Sequence, residues 1–308
     1  PRAFPGERPY PREPLYREPR ARVVAGGGDP YRSVPMSRST TPARLLAGIV
    51  CAAVAAPLSA QLTAEQELAA SDGTFADLFG QAVSLDGDRA AVGAPGRASS
   101  VGAVYVFDRS GGVWTEQALL VAGDGVAQDE LGFSVALDGD RVAAGAPNPL
   151  DPFAGPGVGA AYVFRNSGGW SEEDKLVGGD STTNDLLGFA VGLADPVLVV
   201  GAPGDEPSGP GSRNGGTGAA YVFRFGGGTW SQEQKLTASD AAGDDLFGNA
   251  VAVDGDVAVV GAPGEDAGGS DAGAVYVFRF SGGSWSQEAK LVASDASACA
   301  SFGADVDL

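Results

Sequence analysis

The chain lacks histidine altogether and has little cysteine and little positive charge. With no His among 308 residues, Ser-His-Asp and Cys-His catalysis and every His-ligated metal site are excluded. Cys51 and Cys299 are too few for a zinc ribbon or a disulfide framework. Lys and Arg total 20 against 39 Asp and Glu, a net charge of −19, so nucleic acid and anionic membranes should repel the chain. We therefore predict no cofactor and no nucleic-acid partner.

The N-terminal part differs in composition from the rest of the chain. Residues 1–35 are rich in Arg and Pro and are expected to be a disordered tail or an upstream segment translated from a misplaced start. Residues 36–60 combine a basic stretch, an apolar run at 45–56 and a small residue, Ala60, which is typical of a secretory signal peptide. The apolar run is too short to span a bilayer of about 30 Å. A membrane anchor or a buried helix is the alternative.

Four motifs recur in the same order through residues 61–308, the predicted mature part. A glycine follows an apolar residue at Gly80, Gly132, Gly188, Gly248 and Gly303. Gly-Ala-Pro follows at 93–95, 145–147, 201–203 and 261–263. Tyr-Val-Phe comes next at 105–107, 162–164, 221–223 and 276–278, and then Trp114, Trp170, Trp230 and Trp285. The repeat glycines lie 52, 56, 60 and 55 residues apart, a period typical of propeller blades.

Each repeat holds four strand signals, which we name A to D. Strand A follows the repeat glycine, and an Asp-Gly pair such as Asp86-Gly87 predicts a tight turn to strand B. Strand B stops at Gly-Ala-Pro, strand C carries Tyr-Val-Phe, and strand D begins near the Trp. The third repeat has Asp195-Pro196 instead of Asp-Gly, so its turn must differ. We predict an all-β propeller with four full blades of four antiparallel strands.

Both ends of the mature part are read as incomplete blades. Residues 65–72 resemble the strand D sequence at 232–240, so the mature part should begin with a lone strand D. Leu308 falls within a strand A. We expect the chain to be a C-terminally truncated piece of a larger ring, whose missing blades would be partners of the blades present.

These motifs resemble those of the FG-GAP repeat family, named for Phe-Gly and Gly-Ala-Pro, and are most similar to its bacterial secreted form. The resemblance covers residues 62–308 and extends to integrin alpha subunits. It implies a ring of about seven blades, extracellular adhesion and calcium. Calcium-binding blades of that family carry an Asp-rich loop between strands A and B. Here this link is a tight turn, as at Asp254-Gly255, so no calcium ligand is carried over and calcium stays an open alternative.

The length of the repeat varies almost entirely between Gly-Ala-Pro and Tyr-Val-Phe. These B–C loops, 96–101, 148–158, 204–217 and 264–272, have 6, 11, 14 and 9 residues. In an antiparallel blade they share a face with the D–A crossovers, the segments that lead from strand D to the next strand A. Variable loops on a rigid scaffold often carry recognition, so we predict a ligand face there. Tolerated insertions in solvent loops are the alternative.

The D–A crossovers carry two series of carboxylates. Eight residues before the repeat glycine stand Asp72, Asp124, Asp180, Asp240 and Asp295, and three before it stand Asp77, Asp129, Asp185 and Asp245, with Ala300 breaking the second series. Paired carboxylates are able to hold a hard cation. They are also able to bond the amides of their own turn, which we favour because the role recurs in every blade. The B–C loops add Asp205, Glu206, Glu265, Asp266 and Asp271.

The aromatic residues of the repeat are able to stack on sugars, but packing between blades is favoured because each recurs at a fixed position. We predict no catalytic or metal-binding residue, since every prominent acid recurs in each blade, whereas a catalytic pair should be singular. The predicted function is a secreted or cell-surface module that binds an extracellular protein or glycan. The alternatives are a structural domain of a larger extracellular protein and an extracellular polysaccharide hydrolase.

Overall fold

A computed structural model describes residues 66–147, 157–207, 211 and 216–308. The predictions for residues 1–35 and 36–60 fall outside this range. Within it the chain is built from strands and turns, and α1, Arg97–Ser100, is a single short turn in which Ala98 and Ser99 have positive φ. Among the described residues no helix is long and apolar enough to cross a membrane.

The described strands fall into four blades of four. Blade 1 consists of β1 (Val83–Asp86), β2 (Arg89–Gly93), β3 (Val104–Ser110) and β4 (Val113–Leu120). Blade 2 consists of β5 (Ser134–Asp138), β6 (Arg141–Ala146), β7 (Ala160–Asn166) and β8 (Trp170–Leu176). Blade 3 consists of β9 (Ala190–Ala194), β10 (Val197–Ala202), β11 (Ala219–Gly226) and β12 (Thr229–Leu236). Blade 4 consists of β13 (Ala250–Asp254), β14 (Val257–Ala262), β15 (Ala274–Ser281) and β16 (Ser284–Leu291).

Every blade is an antiparallel sheet whose strands follow chain order, which confirms the predicted strands A to D. The A strands β1, β5, β9 and β13 pack against one another in sequence, so they form the inner side of the assembly. The D strands form the outer edges. The four blades make an open arc rather than a closed ring within the described residues. The predicted all-β propeller architecture is confirmed.

The turns between strands A and B follow the local sequence. In blade 1, Asp86 ends strand A and pairs with Arg89 across a two-residue turn made by Gly87 and Asp88. Gly87 has φ +55°, a conformation that glycine adopts without steric cost. The third blade differs, as its sequence requires: Asp195 and Pro196 are joined by a cis peptide bond.

The core lies between blades. Strand C alternates so that Tyr276 and Phe278 of blade 4 face blade 3, while Val222 of blade 3 faces blade 4. Trp285 completes this interface and is 3% exposed. Because a strand turns successive side chains to opposite faces, Tyr-Val-Phe supplies two aromatic contacts to one neighbour and a valine to the other. The aromatic residues therefore pack between blades, as predicted.

The motif glycines permit close approach of neighbouring backbones. A Cβ on Gly93 would lie 2.0 Å from the carbonyl oxygen of Gly132, the repeat glycine of the next crossover. Gly132 itself has φ +87°, which L side chains rarely adopt. Gly-Ala-Pro and the repeat glycine are therefore two halves of one contact between blades.

The segment at residues 66–70 packs on blade 1 in the way that strand D of one blade packs on the next blade. The side chain of Gln66 donates to the carbonyl of Trp114 and accepts from its amide, both at 2.8 Å. Gln234 of β12 makes the same pair of bonds to Trp285, also at 2.8 Å. Leu68 is 3% exposed and covers the aromatic side of blade 1. The contacts of this segment therefore match those of a strand D, but residues 66–70 form no strand in the structure, so the predicted lone strand is not observed.

Candidate ligand face

The B–C loops and the D–A crossovers lie together on one face of the arc, which we call the loop face. Gly204 and Gly264 of the B–C loops donate backbone hydrogen bonds to Asp185 and Asp245 of the crossovers, both at 3.1 Å. Each loop also contacts the following crossover, as when the amide of Leu246 donates to the carbonyl of Gly216 at 3.0 Å. The loop face is therefore continuous from blade to blade. Residues 148–156, 208–210 and 212–215 of its loops lie outside the described residues.

The first carboxylate series links neighbouring blades. Each Asp accepts a hydrogen bond from the tyrosine of the next blade, and the distances to its hydroxyl are 2.6 Å for Asp72–Tyr105, 2.8 Å for Asp124–Tyr162, 2.8 Å for Asp180–Tyr221 and 2.9 Å for Asp240–Tyr276. Asp295, the fifth member, is exposed. The series is thus architectural in four of its five members, but its partners are the tyrosines of the next blade, whereas the sequence analysis favoured the amides of its own turn.

A cation completes each of these contacts. Lys175 reaches Asp124 at 2.6 Å and Lys290 reaches Asp240 at 2.6 Å, both from the end of strand D. Blade 1 has Leu119 at this strand position, and Arg97 from the B–C loop binds Asp72 at 2.7 Å instead. The bond from the paired cation is the largest contribution that holds the pKa of Asp72, Asp124 and Asp240 below the usual value. These carboxylates are therefore ionised, and their oxygens are already bonded to a tyrosine and a cation.

The second carboxylate series closes its own turns. Asp185 accepts from the amide of Thr182 at 2.5 Å and from its hydroxyl at 3.0 Å. Asp77 makes the same pair of bonds to Thr74, and Asp129 and Asp245 each accept an amide three residues earlier. Burial raises the pKa of Asp185 and of Asp245. This series is architectural as well.

Two acids of the B–C loops join the clusters that the first-series aspartate, the tyrosine and the lysine form. Asp205, which is 4% exposed, accepts from Tyr221 at 2.8 Å and pairs with Lys235 at 2.9 Å. Lys235 also reaches Asp180 at 2.9 Å, so one ammonium serves two carboxylates. In blade 4, Glu265 joins Lys290 at 2.6 Å in the same way. Sequence reasoning placed these acids on the loop face but missed their Tyr and Lys partners, whose fixed places in the repeat were the available signal.

The clusters are built to hold blades together rather than to transfer protons. Burial raises the pKa of Tyr162 to about 12, and it raises that of Tyr221 further. These phenols are therefore neutral donors near neutral pH and neither bases nor nucleophiles. Across the described ranges, no group of three or more Cys, Asp or Glu side chains has a geometry able to hold a metal ion.

Several other side chains of the loop face are exposed to solvent. Asp244, Asp266 and Asp295 are exposed and face no cation among the residues that the structure describes. Phe75, in the crossover that leads into blade 1, is 87% exposed. The sequence analysis did not single out Phe75, although the equivalent positions in the other crossovers, Ala127, Thr183, Gly243 and Ala298, are small.

Comparison with known families gives one match. The FG-GAP repeat matches residues 62–107, 114–164, 170–223 and 230–278, well over half of the chain. Each match runs from a strand D position to the Tyr-Val-Phe of the following blade, which is the unit that locks two blades together. No curated protein matches the chain at a significant level. Repeats of this family are typical of extracellular proteins and are generally non-catalytic. With its four matched repeats and four propeller blades, the chain belongs to the FG-GAP repeat family.

Proposed function

We propose that the chain is a secreted or cell-surface module that binds an extracellular partner, without catalysis, through the loop face. The main support is that the motif residues and the loop residues have different surroundings. Contacts between blades engage the motif positions, whereas the B–C loops vary in length. The B–C loops and the D–A crossovers together leave Asp244, Asp266, Asp295 and Phe75 exposed. Rigid scaffolds with variable loops commonly use those loops for recognition.

The charge of the loop face favours a basic protein surface as the partner. Its described cations are Arg97, Lys175, Lys235 and Lys290, and each is already paired with a carboxylate. The other described arginines lie on strands B and C towards the opposite face. Excess negative charge on one face raises the association rate with a cationic partner and weakens as salt screens it. A glycan partner is the competing outcome.

The test measures binding of the full chain to immobilised basic extracellular proteins and to a glycan array, in low and high salt and with a chelator. We expect binding to a basic protein that weakens in high salt. The double variant Asp244→Asn with Asp266→Asn should slow association. The matched control, Asp254→Asn with Asp256→Asn on the opposite face, should leave association unchanged.

Other outcomes favour the alternatives. Equal slowing by both double variants would contradict a loop-face site. Absence of any binding would favour a structural module within a larger extracellular protein, and turnover of a polysaccharide would favour a hydrolase. Retention of the full chain inside the expressing cell would contradict secretion directed by residues 36–60.

A further inference from the structure

Trp170 is the least buried of the four repeat tryptophans. Trp114, Trp230 and Trp285 are 6%, 6% and 3% exposed, whereas Trp170 is only partly buried. Trp170 begins strand D of blade 2 and packs towards blade 1, on the side of the molecule opposite the loop face. The interface between blades 1 and 2 therefore leaves one indole accessible to solvent.

The turn before Trp170 is one residue shorter than in the other blades. The tryptophan comes seven residues after the phenylalanine of Tyr-Val-Phe in blades 1, 3 and 4, but Trp170 comes six residues after Phe164. The missing residue corresponds to Val113, Thr229 and Ser284, each of which stands directly before its tryptophan. Trp170 therefore follows the glycines of the turn directly, with no side chain before it.

An asparagine stands beside Trp170 where blades 3 and 4 have a phenylalanine. In blade 3, Phe225 pairs with Trp230 across the C–D hairpin and their ring centres are 5.5 Å apart, and blade 4 has the same arrangement at 5.4 Å. In blade 2, Trp170 pairs with Asn166. Residues paired across antiparallel strands lie on the same face of the sheet. Asn166 therefore borders the indole of Trp170 but is too small to fill the space that a phenyl ring takes there.

Strand D of blade 1 lacks the side chains that hold the tryptophans of later blades. In blades 2 and 3, the glutamate at the bulge of strand D accepts the indole N–H of the next tryptophan, at 3.0 and 2.9 Å. Blade 1 has the exposed Gln117 there, and its amide nitrogen donates to the hydroxyl of Thr115 at 2.8 Å. Ala118 follows, where Gln234 of blade 3 makes two bonds of 2.8 Å to the backbone of the next tryptophan. Blade 1 therefore supplies no carboxylate at this position for the indole of Trp170.

One face of the Trp170 ring is already covered by a paired cation. The guanidinium carbon of Arg89 lies 5.4 Å from the ring centre. Asp108 binds this guanidinium at 2.7 Å, and the carbonyl of Gly139 accepts from it at 3.1 Å. The cation that an aromatic face attracts is thus supplied by the protein itself, and its charge is neutralised.

We propose that Trp170, Gln117 and Asn166 form a binding site for a neutral pyranose ring of a glycan. The indole offers a flat apolar surface whose π face carries partial negative charge, which suits the C–H bonds of a sugar ring. Each amide offers two donors and an acceptor, and the indole N–H adds a donor, so these groups match hydroxyls that both donate and accept. An apolar side chain of a protein partner would leave the amides without bonds and is the poorer occupant.

The test follows the indole N–H signals of the full chain by NMR. The chain has four tryptophans, and Trp170→Phe assigns the signal of interest. The probes are neutral trisaccharides of glucose, galactose, mannose and N-acetylglucosamine, a trimer of galacturonic acid, and an uncharged phenylalanine peptide, each titrated to about 10 mM. We expect at least one neutral trisaccharide to shift the Trp170 signal while the signals of the buried tryptophans stay in place.

Asn166→Phe is the decisive variant, because it restores the phenylalanine of blades 3 and 4 and fills the space beside the indole. It should weaken trisaccharide binding on the order of tenfold without lowering the unfolding temperature. Arg109→Phe is the matched control. It places the same ring at the same position of blade 1, where Gln66 and Leu68 already cover the tryptophan, so it should leave binding unchanged.

The proposal is overturned if no neutral trisaccharide shifts the Trp170 signal, or if Asn166→Phe binds as tightly as the original chain. A shift that the phenylalanine peptide causes and no trisaccharide causes would identify a protein-binding site and also overturn it. The loop-face variant Asp244→Asn with Asp266→Asn should bind the trisaccharide unchanged. Failure of this site and failure of the loop-face proposal are therefore distinguishable.

Discussion

At the scale of the residue, the tyrosine of Tyr-Val-Phe has two functions. Its ring packs against the preceding blade, and its hydroxyl donates to a carboxylate of the D–A crossover. The four tyrosines differ in how many carboxylates they serve. The hydroxyl oxygen of Tyr221 lies 2.8 Å from a carboxylate oxygen of Asp180 and of Asp205, which share its single O–H, whereas Tyr162 donates to Asp124 alone. Replacing each tyrosine by phenylalanine keeps the ring and removes the hydroxyl, so the two sites report what the hydroxyl contributes to stability with one carboxylate and with two.

Tyr221→Phe should lower the free energy of unfolding by about 1–3 kcal/mol, because it leaves the buried Asp205 with one partner fewer. Tyr162→Phe keeps the same ring packing and removes a single bond to the exposed Asp124, so it should cost less. Urea unfolding of the two variants provides the comparison. Equal losses would show that the second carboxylate has no energetic role.

At the scale of the element, the contact between a crossover and the next blade needs one cation, which is supplied by either of two elements. In blades 2, 3 and 4 it is a lysine on strand D. In blade 1 it is Arg97 on the B–C loop, at the position that Asp205 and Glu265 occupy in blades 3 and 4. The cation therefore comes from the B–C loop position in blade 1 and from the strand D position in blades 3 and 4, where the loop position carries an acid instead.

Arg97→Ala should destabilise blade 1, because Asp72 then keeps only the bond from Tyr105. Adding Leu119→Lys should restore much of the loss, since it moves the cation to the position used by the other blades. Thermal unfolding of both variants measures the rescue. Leu119→Lys in the presence of Arg97 is the control and should not stabilise. If the double variant unfolds at no higher temperature than Arg97→Ala, the two positions are not interchangeable sources of the cation.

The segment at residues 66–70 is a second test at this scale. Leu68→Ala should cost about 2–5 kcal/mol, the usual range for a buried leucine. It should also increase the exposure of Trp114, which a shift of tryptophan fluorescence to longer wavelength would report. The exposed Val126→Ala serves as the control and should change neither measurement. An unchanged stability of the Leu68 variant would show that the segment does not seal blade 1.

At the scale of the whole molecule, Asp72, Asp124 and Asp240 give a dependence of stability on pH that is opposite to that of Asp185 and Asp245. Cations hold down the pKa of Asp72, Asp124 and Asp240, so their stabilisation is present above the unfolded value of 3.8 and is lost as the pH falls through the lower folded value. Burial raises the pKa of Asp185 and Asp245. Their folded forms bind protons first, so the native state gains stability as the pH falls from neutrality towards 3.8.

We therefore expect the free energy of unfolding to pass through a maximum in mild acid. Asp185→Asn with Asp245→Asn should flatten the limb between neutral pH and that maximum, since an amide oxygen still accepts the turn amide. Urea titrations at a series of pH values measure both curves. A steady decline in the stability of the original chain from neutral pH downwards would contradict the expectation.

The sequence alone determined the fold of this protein. Its four strands per repeat follow from motifs that act locally: Asp-Gly closes a two-residue turn, Pro ends strand B, and alternation gives Tyr-Val-Phe two faces. The cover over blade 1 was recognisable because residues 65–72 repeat a strand D sequence. These features depend on neighbours along the chain, and a repeat displays them four times.

Only the tertiary structure decided what the charged side chains do. The sequence showed Asp180 and Asp205 as acids on loops, and metal binding, turn capping and solvation all remained open. The partners of these acids are Tyr221 and Lys235, which lie in strands C and D. Along the chain they are 16 and 30 residues away from Asp205. The pairing arises because antiparallel strands and the packing of one blade on the next bring the ends of strands C and D to the crossover. Such contacts depend on distance in space, which spacing along the sequence does not specify.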